Sequence, residues 1–424
     1  METTFSIDKL VGHKAFQRGN PMTDRFKVKR FHHVEFWCLD ATTTSIRFGV
    51  GLGLQRVAKS DLSTGNTAFT SYAMRSGDMV FVFTASNTAK IPEASPEAAE
   101  QHPLAAGFDA DAPVAFCVKH GMAVRAVAVE VEDAQAAYET CVAGGGTGVT
   151  APRKAVDPAS GTTQVVAEVL LYQGGDVVLR LVSGSFEGPC LVGYEDVPDD
   201  QRADIGLLRI DHVVGNVPKL LEQVNHVAAM TGFHEFAEFT AEDVGTVDSG
   251  LNSIVLACDS EAVLLPINEP THGTKRRSQI QTYLDHNNGP GVQHIALLAT
   301  DAIAAVRALR ARGAFDLMPR PSDAYYEELP GRIGGVLSEE QYRGVRELGL
   351  LVDRDDQGTL IQVFTKPLGD RPTIFLEIIQ RVGCDRDANG CPVPQRPGCG
   401  GFGKGNFREL FKSIEDYERQ LERP

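Results

Sequence analysis

One pattern recurs four times along the chain, and it limits the possible folds more than any other feature. Each copy has a short apolar strand that ends near Asp or Asn, a helix stopped by glycine or small residues, and several runs with alternating apolar residues. Asp and Asn are common helix N-caps, glycine is a common helix end, and period-two alternation is typical of strands. The copies begin at Phe31, Val124, Arg209 and Gly291. Each copy therefore reads as a βαβββ unit.

The four units form two pairs, which predicts two domains. Residues 25–186 hold two units and residues 207–381 hold two more, with a segment rich in Pro, Gly and acidic residues between them. We expect an α+β fold of two open-barrel domains, 1–195 and 205–424. The last unit carries a long, partly helical insertion before its final hairpin. Beyond it, a glycine-rich stretch leads into an amphipathic helix that we expect to act as a lid.

The composition disfavours several classes of protein. Hydrophobic residues make up 42% of the chain and charged residues 23%, as in ordinary globular proteins. The net charge of −15 argues against a nucleic-acid or anionic-membrane partner, because either would need a basic face. We expect no membrane span, since no apolar run approaches the ~20 residues that a bilayer requires. The first residues lack the apolar core of a secretory signal.

The cysteines favour reduced thiols in an intracellular protein. The chain has eight cysteines and no CxxC pair. Cys384, Cys391 and Cys399 cluster near the end, but no histidine stands at zinc-finger spacing from them, so we do not expect a zinc site there. Thiols of intracellular proteins usually stay reduced, and we expect the same here.

Ionisable residues interrupt three apolar, strand-like runs at near-equal intervals. His212 and His294 occupy the same place in the first strands of the third and fourth units, and Glu377 lies in the last strand of the fourth. Two histidines and one carboxylate form the facial triad that holds non-heme Fe(II) and leaves positions open for substrate and O₂. A lone buried histidine is usually a hydrogen-bonded core residue, but packing alone does not explain three such residues at symmetric positions. We predict an Fe(II) site.

The first half of the chain offers an internal comparison. Its matching positions hold His33, Ala126 and Arg180. An imidazole, a methyl group and a guanidinium cannot together hold a divalent metal. We therefore predict that the first domain has no metal site and serves structure or assembly.

Strand alternation predicts which side chains surround the metal. Side chains two residues apart on a strand share a face, so Phe375 should accompany Glu377 into the cavity. Three further pairs share a strand face in the same way: Ser253 with Val255, Pro266 with Asn268, and Gln362 with Phe364. Gln293 adjoins His294, and Gln279 lies in a predicted helix. Phenylalanine rings can stack on an aromatic substrate, and carboxamides can hydrogen-bond a phenol hydroxyl. We expect a substrate with an aromatic ring and a neutral polar group.

Several phrases of the sequence are distinctive as a set. They include IDHVVGNV, LLPINEP, GVQHIAL, EIIQR and GGFGKGNFRELF, and are denser in the C-terminal half. With them the chain resembles the 4-hydroxyphenylpyruvate dioxygenases of the vicinal-oxygen-chelate superfamily, particularly the plant form. The resemblance implies conversion of 4-hydroxyphenylpyruvate and O₂ to homogentisate and CO₂, in tyrosine breakdown and, in plants, in plastoquinone and tocopherol synthesis. It also implies a homodimer, for which we expect a cytoplasmic location, with the chloroplast as the alternative.

The resemblance also implies roles for particular residues. The iron ligands of the family fall on His212, His294 and Glu377. Catalytic roles fall on Gln279, Gln293, Gln362 and Phe364, and substrate-binding roles on Ser253, Pro266, Asn268, Phe375, Phe402, Asn406, Phe407 and Leu410. The last four of these belong to the tail, which the resemblance implies closes over the site.

Three alternatives use parts of the same pattern. A 4-hydroxymandelate synthase takes the same substrate and iron but oxidises the benzylic carbon, and the plant-like lid and phenylalanine pattern favour the dioxygenase. A metal-free binding module would not need His212, His294 and Glu377 together. A glyoxalase-type zinc or nickel lyase would want a second carboxylate, where the third unit has Leu264 and Pro266.

Overall fold

Two mixed β-sheets form the framework of the protein. The computed structural model describes residues 7–87, 102–105, 108–198, 203–244, 250–273, 275–386 and 390–421. Within these residues the first half of the chain builds a nine-stranded sheet and the second half an eight-stranded sheet. The outer ends of the two predicted domains, 1–6 and 422–424, lie outside the described residues, and the domain boundaries stay predictions.

The first sheet contains the first two βαβββ units. Its strands are β1 (Val28–Trp37), β2 (Gln55–Ser60), β3 (Phe69–Ser76), β4 (Met79–Ser86), β5 (Ala123–Val131), β6 (Gly148–Val156), β7 (Thr163–Leu170), β8 (Val178–Gly184) and β9 (Glu195–Asp196). Its helices are α1 (Ala41–Leu52), α2 (Ala112–His120) and α3 (Ala134–Ala143). The strand order is β6-β7-β8-β5-β1-β4-β3-β2-β9.

The second sheet contains the third and fourth units. Its strands are β10 (Leu207–Asn216), β11 (His234–Phe239), β12 (Leu251–Ala257), β13 (Leu264–Pro270), β14 (Gly291–Ala299), β15 (Leu351–Arg354), β16 (Thr359–Phe364) and β17 (Phe375–Val382), in the order β11-β12-β13-β10-β14-β17-β16-β15. The helices are α4 (Leu220–Thr231), α5 (Ala241–Val244), α6 (Gln279–His286), α7 (Ala302–Arg312), α8 (Asp323–Ile333), α9 (Glu339–Leu348) and α10 (Phe407–Leu421).

The four predicted βαβββ units and the α+β fold are confirmed. In each sheet the first strands of two units pair antiparallel at the centre, β1 with β5 and β10 with β14. The last strand of each unit lies parallel to its first strand. Helices α8 and α9 form the helical part of the predicted insertion in the fourth unit, and the end of that insertion contains the strand β15. Asp40, Asp133 and Asp301 cap the helices of three units by accepting hydrogen bonds from backbone N–H groups.

An apolar core runs through both halves of the chain. Phe48 of α1 packs edge-on against Phe315, with ring centroids 5.1 Å apart. A Cβ on Gly51 would clash with the same Phe315 ring, so this glycine allows the close approach of α1 to the second half. The helices within the described residues are all too short or too polar to cross a membrane.

The expectation of reduced thiols is wrong for two of the eight cysteines. Cys384 and Cys399 form a disulfide, with their Cα atoms 5.9 Å apart. The bond joins the end of β17 to the glycine-rich segment that precedes α10. Sequence spacing could not reveal it, because the loop between these cysteines is brought back on itself only by the tertiary fold. The disulfide fixes the start of the lid segment against the sheet.

We predict that this disulfide is present in the isolated protein. Protein prepared without reductant, alkylated and digested should give a peptide pair joined through Cys384 and Cys399, which mass spectrometry detects and dithiothreitol separates. Closing a loop of this length contributes roughly 3 kcal/mol in the chain-entropy model, so reduction should also lower the unfolding temperature. Cys141, buried and outside any disulfide, is the control and should be alkylated only after unfolding. Full alkylation of Cys384 and Cys399 without reduction would contradict the prediction.

Candidate metal centre

Two β-bulges aim the predicted histidine ligands. In the pairing of β10 with β14, Asp211 and Gln293 are extra residues with no partner opposite them. A bulge bends the strand locally and turns a side chain in a new direction. Each bulged residue directly precedes a histidine. As a result the Asp211 Oδ2 atom lies 2.9 Å from His212 Nδ1, and the Gln293 Oε1 atom lies 2.9 Å from His294 Nδ1.

The three predicted ligands converge. Glu377 on β17 stands opposite Ala296 of β14, and its Oε2 atom lies 3.2 Å from His212 Nε2 and 3.4 Å from His294 Nε2. One donor atom from each of the three residues lies within 4.8 Å of the other two. In the part of the chain that the structure describes, no other group of three or more His, Cys, Asp or Glu residues has such an arrangement.

The protonation of the three side chains suits a divalent cation. Both Nδ1 atoms face oxygen acceptors, so each imidazole keeps a proton there, and its Nε2 atom, which faces Glu377, can exchange a proton for a metal ion. Burial works to raise the pKa of Glu377, but hydrogen bonds and charges from His212 and His294 outweigh it and lower that pKa to about 2. Two neutral nitrogen donors and one ionised carboxylate are the set that non-heme Fe(II) takes.

The two histidines differ in their electrostatic surroundings. Burial disfavours the charged form of both imidazoles. For His212 the neighbouring Asp211 and Glu377 outweigh burial and raise the pKa, whereas for His294 burial dominates and lowers the pKa. The difference follows from the second partner of each ring, which is an anion for His212 and the neutral amide of Gln293 for His294.

A buried ion pair that the sequence reasoning missed stands behind His212. Arg381 donates from Nε to Asp211 Oδ1 over 2.9 Å and from Nη2 to Asp211 Oδ2 over 2.6 Å. Neither side chain is exposed to solvent. Burial would raise the pKa of Asp211, but Arg381 holds it far below its usual range. A signal was present in the sequence, since Arg381 lies on the same strand face as Glu377 and interrupts an apolar run.

A cavity opens from the metal centre, with an empty volume of about 590 Å³ that includes its mouth to solvent. The predicted residues that line it, besides the three ligands, are Ser253, Val255, Pro266, Asn268, Gln279, Gln293, Gln362, Phe364, Phe375, Phe402, Phe407 and Leu410. Lining residues that the sequence reasoning missed are Val214, Phe239, Leu251, Gly403, Phe411 and Ile414. These are apolar or glycine, and strand alternation alone did not separate them from ordinary core.

Asn406 is the predicted site residue that does not line the cavity. It is fully buried behind the wall, where its side-chain oxygen accepts a hydrogen bond of 2.8 Å from Tyr325 Oη. Its Nδ2 atom donates to Gln362 Oε1 over 3.4 Å. Asn406 therefore supports the lining residue Gln362 from behind, and contact with a ligand in the cavity is not part of its geometry.

The tail closes one side of the cavity. Helix α10 turns Phe407, Leu410, Phe411 and Ile414 toward it. Gly403, just before the helix, has a positive φ of 75°, and a Cβ there would clash with the side-chain amide of Gln362. Only glycine fits this approach without strain. The lid helix thus lies against the pocket, and Gly403 just before it packs on the lining side chain of Gln362.

The equivalent place in the first half holds an ion cluster. By strand register His33, Ala126 and Arg180 correspond to His212, His294 and Glu377. Arg180 contacts the carboxylates of Glu35 and Glu168 at 2.5 and 2.8 Å and lies 2.8 Å from the His33 ring. The guanidinium occupies the centre where the second half gathers its three donors.

The comparisons with known proteins agree with this geometry. A 4-hydroxyphenylpyruvate dioxygenase of Plectranthus scutellarioides is 55% identical over 98% of this chain and 94% of its own length. One from Arabidopsis thaliana is 54% identical over 98% of this chain and 93% of its own length. A solved structure of a 4-hydroxymandelate synthase triple mutant from Streptomyces coelicolor superposes with a TM-score of 0.72 at 22% identity, covering 92% of this chain and 99% of the other. No protein-family model matches the chain.

We predict that the centre binds one divalent ion through Glu377. Replacing Glu377 with Gln removes the anionic donor and should weaken Co²⁺ binding by more than about 100-fold, beyond the 10–100-fold typical of outer-shell changes. Anaerobic titration of metal-free protein with Co²⁺ measures this affinity. The matched control is His33→Gln in the first half, which should leave the affinity unchanged. Equal Co²⁺ affinity in wild type and Glu377→Gln would remove Glu377 from the ligand set.

Proposed function

The chain belongs to the 4-hydroxyphenylpyruvate dioxygenase family, and we propose that its second half converts 4-hydroxyphenylpyruvate and O₂ to homogentisate and CO₂ on a ferrous ion. The observation that carries the proposal is the convergence of His212, His294 and Glu377 at one side of a cavity lined by phenylalanine and carboxamide side chains. The relatives named above are more than 50% identical over nearly the whole chain. At that similarity the family activity applies to the chain as a whole.

The three donors define what the iron can do. His212, His294 and Glu377 would hold a ferrous ion, which would supply Lewis acidity and one-electron chemistry toward O₂ and an α-keto acid. Glu377 would neutralise one of the two positive charges of that ion. Asp211 and Gln293 keep both imidazoles in the orientation and tautomer that present Nε2 to the metal.

The redox balance requires no further organic cofactor. Loss of the substrate carboxyl group as CO₂ provides two electrons, and the remaining acid keeps both atoms of O₂, one in the new carboxylate and one on the ring. The side chain moves to the neighbouring ring carbon in the family reaction. The protein therefore has to bind, orient and exclude water.

The pocket walls orient the aromatic ring. Phe375 stacks on the His294 ring with centroids 4.9 Å apart, and Phe364 meets Phe375 edge-on at 6.0 Å. These contacts fix a rigid aromatic wall beside the metal. Phe407, at the start of the lid helix, also lines the cavity. We assign to Phe364 and Phe407 the two faces between which the substrate ring lies.

Polar side chains that line the cavity suit the phenol hydroxyl. Ser253 and Asn268 stand opposite each other on β12 and β13, and Gln279 begins α6. Together with the amide nitrogen of Gln293 they offer donors and acceptors in a cavity that is otherwise lined largely by apolar side chains. Gln293 thus has two tasks, since its oxygen already faces His294 Nδ1.

The 4-hydroxymandelate synthase reading stays as the second candidate. The solved structure of such a synthase is 22% identical to this chain, so the similarity supports the fold alone. The two reactions use the same substrate and differ in the carbon that is oxidised, so the identity of the product separates them. We further propose a homodimer in the cytoplasm, with the chloroplast as the alternative location.

We predict that the protein loaded anaerobically with Fe(II) consumes O₂ and forms homogentisate in equal amounts from 4-hydroxyphenylpyruvate. An oxygen electrode and chromatography of the product measure the two quantities. Protein without metal should show neither. 4-Hydroxymandelate as the main product would support the second candidate, and O₂ uptake without either product would contradict both.

We predict that Gln279→Leu weakens recognition of the phenol hydroxyl. Loss of one hydrogen bond of roughly 1 kcal/mol should raise KM for 4-hydroxyphenylpyruvate about fivefold to tenfold. Phenylpyruvate, which lacks the hydroxyl, should compete equally well in the variant and the wild type. The control is Gln281→Leu on the same helix, because Gln281 bonds to Asp285 on the helix surface and does not line the cavity. Equal losses for both ligands would place Gln279 away from the hydroxyl.

A further inference from the structure

We propose that the buried pair of Asp211 and Arg381 is a positioning device that couples the metal ligand His212 to the segment carrying the lid. Asp211 Oδ2 faces His212 Nδ1 at 2.9 Å and also accepts from Arg381 Nη2 over 2.6 Å. One carboxylate therefore serves the imidazole and the guanidinium at the same time. Because both charged side chains are fully buried, water cannot substitute for either contact.

The other side of the same guanidinium holds the approach to the lid. Arg381 Nη1 donates to the carbonyl oxygens of Cys399 at 2.5 Å and Gly401 at 2.8 Å. The next residue, Phe402, places its ring edge-on to His212 with centroids 5.2 Å apart. The lid segment thus reaches His212 by two routes, through hydrogen bonds at Arg381 and through direct ring contact. Displacement of this segment would disturb the Asp211 carboxylate and the imidazole together.

The first half of the chain shows that the fold does not require this pair. It has the same bulge on β1, where His32 takes the place of Asp211. Arg381 lies four positions beyond Glu377, and the residue four positions beyond Arg180 is Gly184. The carboxylate–guanidinium pair therefore accompanies the metal triad and is absent where the triad is absent.

The chemistry of the pair gives it a defined role. A carboxylate that accepts from a ligand histidine fixes its tautomer and raises its basicity, and loss of such a partner typically costs about 10–100-fold in metal affinity. A planar guanidinium can hold both oxygens of Asp211 and two carbonyl groups, whereas the ammonium of lysine cannot hold that set at once. Arg381 acts through Asp211 and the backbone, so it is a positioning residue and does not touch the substrate.

The test compares variants of Arg381 with matched variants of Arg180, which is also buried and paired with carboxylates but belongs to the first sheet. Metal-free wild type, Arg381→Met and Arg381→Lys are titrated with Co²⁺, and trypsin cleavage after Lys404 and Arg408 reports on the lid. Arg381→Met should raise the Co²⁺ Kd about 10–100-fold and speed this cleavage, with Arg381→Lys in between. Arg180→Met and Arg180→Lys should lower the unfolding temperature and change neither readout.

The outcomes separate this inference from the proposed function on which it rests. Wild type that binds no Co²⁺ would overturn the metal site itself. If wild type binds Co²⁺ and the Arg381 variants have the same Kd and cleavage rate as wild type, only the coupling is overturned. Changes in the Arg381 variants that are no larger than those in the Arg180 variants would overturn the coupling as well. Should Arg381→Met fail to fold, Arg381→Lys and Asp211→Asn decide the question through the same two readouts.

Discussion

The antiparallel pairing of β10 with β14 is the contact on which the site depends. It brings the first strands of two sequence-distant units side by side, and the bulges at Asp211 and Gln293 turn His212 and His294 toward one point. Strand β17, parallel to β14, then carries Glu377 to the same point. A one-residue slip of either pairing would send a ligand to the opposite face of the sheet. The metal geometry is therefore a property of sheet register.

Burial of so many ionisable groups needs compensation within the protein. An unpaired charge in the interior is costly, and removing one partner of a buried pair leaves the other uncompensated. Here Glu377 faces two imidazoles, and Asp211 faces His212 and Arg381, whose guanidinium also binds backbone carbonyls. A divalent ion at the centre would complete this alternation of charge. In the first half the buried carboxylates are compensated by a side chain, because Arg180 supplies the positive charge between two glutamates.

The sequence was sufficient for the repeat, the fold class and the three converging side chains, because each leaves a local mark. Period-two alternation, capping aspartates and polar residues inside apolar strands are visible without tertiary information. The Asp211–Arg381 pair, the support of Gln362 by Asn406 and the disulfide of Cys384 were not found, since they join residues whose proximity is set by the folded sheet. The apolar lining residues such as Phe239 were missed because a core side chain and a pocket side chain look the same in sequence.

X-ray absorption at the metal edge tests the central claim most directly. For protein loaded anaerobically with Fe(II), the account predicts a first shell of nitrogen and oxygen with outer scattering from two imidazole rings, and loss of one ring's contribution when His294 is replaced by alanine. A shell that contains sulfur, or outer scattering from fewer than two imidazoles in the wild type, would contradict the claim that His212, His294 and Glu377 hold one ion together.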